Sequence, residues 1–169
     1  MSARRESSGT IRRVSPGRAV LVVLLTLTVT ACGWGKDTTT NGIEKRGDGE
    51  LRTELAPLVD RLPQLAGATS AEWMIGTLGG RLSPGPSTYW IDAVLVLDDT
   101  TLQEVSALPG LAVAEPPKVV KGLKPSLPDG ELLRSEALDE YFTLAPWRGE
   151  AWLSPDEGQV VLLVIGGPN

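Results

Sequence analysis

The chain has 169 residues, 16 Lys+Arg against 21 Asp+Glu, one cysteine and no histidine. Without histidine, a Ser-His-Asp or Cys-His mechanism and histidine-based metal sites are excluded, and one cysteine rules out a disulfide within the chain. Five arginines (Arg4, Arg5, Arg12, Arg13, Arg18) and one acid, Glu6, precede Cys32, leaving 11 basic and 20 acidic residues, a charge of −9, from Cys32 onward. An acidic body argues against nucleic acid as a partner, because phosphate binding needs a cationic surface.

Residues 1–31 read as a signal peptide. Met1 to Arg18 is cationic, and Ala19 to Ala31 (AVLVVLLTLTVTA) is a 13-residue apolar run. That length falls short of the roughly 20 residues of a permanent membrane helix and suits a signal-peptide core. The run ends in Val29-Thr30-Ala31-Cys32.

These four residues resemble the lipobox of bacterial lipoproteins: an aliphatic residue, a small one, Ala or Gly, then Cys. The arginine-rich leader ahead of Gly/Pro-rich, lysine-poor sequence is similar in style to actinobacterial members. The resemblance implies recognition of Val29, Thr30 and Ala31 by a signal peptidase, cleavage after Ala31, and a diacylglyceryl group on the Cys32 sulfur. Acyl chains on Cys32 would then hold the protein at the cell membrane, facing outside the cytoplasm. Arg12-Arg13 keeps twin-arginine export open beside general secretion.

Residues 32–49 read as the lipidated N-terminus and a flexible tether, rich in Gly and Thr. Trp34 fits either the headgroup level of a membrane or a stray aromatic in a linker. Residues 50–169 are then one domain of ordinary size.

Within that domain, Leu51, Leu55, Leu58, Val59 and Leu62 mark one face of a helix. Pro57 implies a kink there or a start near Ala56. Thr69–Leu78 reads as a strand with Ala71, Trp73, Ile75 and Thr77 on one face. Thr88–Leu97 reads as its hairpin partner, with Tyr89, Ile91, Ala93, Leu95 and Leu97 on one face and Trp90, Asp92, Val94 and Val96 on the other. Asp98-Asp99 signals a helix N-terminus, with Thr101 and Glu104 as a capping box for a helix over Leu102–Leu108.

Glu115–Gly130 carries four prolines and reads as a long connection. It also holds Lys118, Lys121 and Lys124, a cationic cluster without acids between, which fits a solvated loop or a contact for an anionic partner. Glu131–Phe142 reads as a helix, and Glu150–Leu153 with Gln159–Ile165 as a second hairpin. The apolar run QVVLLVI implies burial on both faces. The fold expected is α+β: an antiparallel sheet of about four strands in two hairpins, with two or three helices packed on one face.

No cofactor motif is found, and Asp156-Glu157-Gly158 matches only the end of a calcium loop, so no metal is expected. The functional expectation is a non-enzymatic envelope protein that binds a partner, either an envelope protein or an anionic wall polymer. Arg81, Trp90, Lys118, Lys121 and Lys124 are the contact candidates, although Trp73, Trp90 and Trp152 taken singly read as core. The enzymatic alternative is a carboxylate-dependent glycan hydrolase using Glu72, Asp92 and Asp98, with Glu72 and Asp92 facing one another across two strands. A third reading, an accessory subunit of an envelope complex, requires an exposed apolar Trp90-Val94-Val96 face.

Overall fold

The computed structural model describes residues 39–40, 43–79 and 88–167. In chain order these form β1 (Thr39–Thr40), β2 (Ile43–Gly47), α1 (Ala56–Val59), β3 (Ala68–Leu78), β4 (Tyr89–Leu97), α2 (Asp99–Ser106), β5 (Ala112–Val113), β6 (Leu133–Arg134), α3 (Glu136–Phe142), β7 (Arg148–Ser154) and β8 (Gln159–Gly166), with 3-10 segments at Pro63–Leu65 and Lys121–Ser126. The class is α+β, and the sheet is antiparallel in the order β1-β2-β3-β4-β8-β7-β6-β5. The four expected strands form its middle.

The described residues extend that sheet past four strands at both edges. β5 and β6 are two residues each, too short to carry a visible alternation. β2 lies in the stretch read as tether, yet Lys45, Arg46 and Gly47 pair with Leu78, Thr77 and Gly76 of β3. Gly76 is what permits this pairing at close range: a Cβ there would lie 1.8 Å from the Arg46 carbonyl oxygen.

Pleating sorts the side chains onto two faces. The first face carries Ala71 and Trp73 of β3, Ile91, Ala93 and Leu95 of β4, and Val160, Leu162 and Val164 of β8, all buried against Leu58, Leu62, Leu65, Val105, Leu138 and Phe142. The three α-helices therefore share one face. Pro57 sits in the first turn of α1, where its missing N–H costs nothing. The helix begins at Ala56, and Leu51 before it is exposed.

Two helix starts differ from expectation. Asp98, not Thr101, caps α2 by accepting the Thr101 N–H at 2.6 Å, and Glu104 instead accepts from the Tyr141 hydroxyl at 2.9 Å. α3 starts at Glu136, with Ser135 accepting the Leu138 N–H at 3.1 Å, because Leu133-Arg134 upstream pairs as β6 with β5 and β7.

The second face is not left to solvent. Met74, Trp90, Val94, Trp152 and Val161 are buried there against Val119, Val120 and Leu123 of the proline-rich connection. β8 runs between β4 and β7. Its first face is buried throughout Val160, Leu162 and Val164, while on the second Val161 is buried, Leu163 half-buried and Ile165 38% exposed, so the burial expected on both faces holds only in part. The Trp90-Val94-Val96 face is correspondingly no exposed apolar patch: Trp90 and Val94 are buried beneath that connection.

Candidate functional site

Val29, Thr30, Ala31, Cys32 and Arg81 lie outside the described residues. Trp90, Lys118, Lys121 and Lys124 fall within them, and the fold brings all four to the second face.

Trp90 is a core residue, 2% exposed, which removes it as a surface contact. Its Nε1–H donates to the Arg46 carbonyl at 3.0 Å, and the Lys45 ammonium lies 5.3 Å from its ring centroid. The indole therefore fixes β2 to β4 twice, through a hydrogen bond and through a cation–π contact.

Beside it lies a charge pair that the sequence did not announce. Lys45 of β2 is 4% exposed and Asp92 of β4 is 0% exposed, and the ammonium bonds directly to Asp92 Oδ1. The other carboxylate oxygen, Oδ2, accepts the backbone N–H of Val120 at 2.9 Å. Burial pushes the Asp92 carboxyl above its ordinary pKa, while the adjacent Lys45 charge, the Lys45 hydrogen bond and the Val120 N–H pull it back. Both oxygens are thus engaged, as a buried carboxylate requires. Three pieces of chain far apart in sequence meet at one side chain.

The Val120 bond seats the lysine-bearing connection. From Lys121 to Ser126 the chain winds as a 3-10 helix, in which side chains three apart eclipse and each residue rises about 2.0 Å. Lys121 and Lys124 therefore stack on one side, roughly 6 Å apart by that rise. Val119, Val120 and Leu123 turn inward and are buried, and Gly122 lies close on Met74, since a Cβ there would come within 2.8 Å of Met74 Sδ and the methionine would have to shift. Lys118, Lys121 and Lys124 are all exposed. They form no ion pair with an acidic side chain among the described residues. The result is a row of exposed lysines on a base packed against the sheet.

The expected carboxylate pair does not form. Glu72 of β3 sits opposite Val94, and Asp92 sits opposite Met74, so the two acids are offset along the strands and Asp92 is committed to Lys45 and Val120. Asp98 is the cap of α2, and the Thr101 N–H and hydroxyl hold its carboxyl below the usual range. Among the described residues, no group of three or more Cys, Asp or Glu side chains is placed to hold a metal ion, and no helix is long and apolar enough to cross a membrane.

Sequence reasoning missed Lys45 because IEKRG offers one apolar residue and reads as linker. The period-three spacing of Lys118, Lys121 and Lys124 around Val120 and Leu123 was a signal for a one-sided 3-10 turn. No protein-family model, no curated protein and no solved structure matches this chain.

Proposed function

We propose that the chain is a lipid-anchored protein of the cell envelope, held at the membrane through Cys32 and facing outside the cytoplasm. It works there as a non-enzymatic binding protein, contacting an anionic partner through the Lys118-Lys121-Lys124 ridge. The observation that carries the anchor is Val29-Thr30-Ala31-Cys32 at the end of a 13-residue apolar run behind five arginines. Two acyl chains supply durable anchoring where one would be marginal. Ten residues separate Cys32 from the start of β2 at Ile43, a reach of at most about 35 Å, so the anchored domain would work close to the membrane.

The ridge supports the binding half of this reading. Its exposed lysines stand on an otherwise acidic body, on backbone fixed by Asp92 and by the burial of Val119, Val120 and Leu123. A preorganised charged row loses little entropy on meeting a polyanion. The alternative, a glycan hydrolase using Glu72 and Asp92, has weaker support because Asp92 is fully buried and both its oxygens are bonded. Mass spectrometry of the membrane fraction tests the anchor. A diacylated peptide beginning at Cys32 is expected, and Cys32→Ala should release the protein from membranes. Retention of that variant at the native level would overturn the reading.

A further inference from the structure

At one end of the second face the sheet carries a row that is polar instead of apolar. Register places Ser70 opposite Val96, Val96 opposite Gln159, and Gln159 opposite Ser154. Glu72 lies two residues along β3 and shares their face. A cleft of about 310 Å³ opens over this row, lined by Ser70, Glu72, Val94, Val96, Gln159 and, from the 3-10 segment above the sheet, Ser126.

One polar atom of this lining, and a neighbouring one behind it, are not satisfied among the described residues. Gln159 Oε1 is buried and makes no hydrogen bond, and so is Ser154 Oγ beside it. Ser154 is 0% exposed. The Glu72 carboxylate, half-buried at the wall, takes part in no hydrogen bond or ion pair among the described residues. A buried acceptor left without a donor is costly, and native proteins leave few such groups. Two of them side by side, next to an unpaired carboxylate and an open cleft, fit a site whose donors come from outside.

We propose that this cleft binds a small ligand that carries a protonated primary amine beside hydroxyl groups, an amino sugar or amino alcohol. The ammonium pairs with Glu72, Ser70 and Ser126 meet hydroxyls, and Gln159 turns its Oε1, closed to solvent in the free chain, to accept a further hydroxyl or N–H. The acceptor-rich lining selects donors, and the carboxylate selects a cation over a neutral sugar. The volume lies at the lower bound of small-molecule pockets, roughly 300–1,000 Å³, so a single ring fits and a polymer does not. The site uses none of the ridge lysines, although Ser126 ends the 3-10 segment that carries Lys121 and Lys124, and it does not depend on the anchor.

The test is titration of the full-length, ¹⁵N-labelled chain in detergent with glucosamine and, in parallel, with glucose. Glucosamine should give saturable amide shifts confined to Ser70–Glu72, Val94–Val96, Ser126 and Gln159, and glucose should bind weaker by about tenfold or more. Glu72→Gln should raise the glucosamine Kd by about tenfold or more while the rest of the spectrum is unchanged. Ser126→Tyr, which places a ring in the wall of the cleft, should abolish the shifts with both sugars. Absence of saturable shifts, equal binding of glucose, or native affinity in either variant would overturn the proposal.

Discussion

The backbone N–H of Val120 donates to Asp92 Oδ2 at 2.9 Å while Lys45 bonds the other oxygen of the same carboxylate. One buried side chain on β4 thereby holds the edge strand β2 on one side and the root of the lysine ridge on the other. Asp92→Ala strands the Lys45 ammonium in the interior and should cost about 3–5 kcal/mol in urea denaturation. It should also expose the Val120 amide to hydrogen exchange. Replacing both partners together, Lys45→Met with Asp92→Leu, should be far milder than the single change, because no unpaired charge remains. A single-variant cost below about 1 kcal/mol, the range of a surface pair, would show that the pair is not closed in solution.

Trp90 separates a packing role from a contact role. Trp90→Phe keeps most of the ring but removes the Nε1–H bond to Arg46, so a loss of about 1 kcal/mol is expected from that bond, with more from the space left behind. Trp90→Ala should cost about 3–5 kcal/mol. Thermal denaturation checks both, and a surface contact would instead leave the melting temperature unchanged.

Those two residues also mark where the sequence was legible. Alternation over Tyr89–Leu97 correctly sorted Trp90, Asp92 and Val94 from Ile91, Ala93 and Leu95, because a strand has a strict period of two and one face must be apolar. What covers the second face was not legible. Val119, Val120 and Leu123 are short apolar steps among prolines and lysines, and nothing local says that they lie on a sheet. Lys45 and Asp92 are 47 residues apart, and each alone reads as an exposed charge. Such a pair is a property of the topology, which joins β2 to β3 and β3 to β4. The polar row that ends in Ser154 and Gln159 was hidden for the same reason, since it exists only across four strands in register.

Acid sensitivity should arise at the start of α2. Thr101, through its N–H and then its hydroxyl, holds the Asp98 carboxyl below its ordinary pKa. A carboxyl with a depressed folded pKa stabilises the protein above its unfolded value of about 3.9, and that contribution is lost as pH falls through the folded value. The difference in melting temperature between the native chain and Asp98→Ala should therefore be constant above about pH 5 and narrow below about pH 3.5. A difference that stayed constant down to pH 2.5 would mean that the cap does not depend on the charge.

The ridge makes the last prediction, because its lysines are free of structural duty. Lys118, Lys121 and Lys124 are exposed, while the inward residues between them do the packing, so changing all three to Gln should shift stability by no more than about 0.5 kcal/mol each. Retention of the full chain on polyphosphate-coupled resin should nevertheless fall sharply. The salt dependence of that retention should also flatten, since each released contact takes its counterions with it. Arg148→Gln, an exposed cation on β7 outside the ridge, is the control for bulk charge. If it weakens retention as much per charge as the lysine changes do, the binding follows net charge and the ordered row of lysines is not the contact.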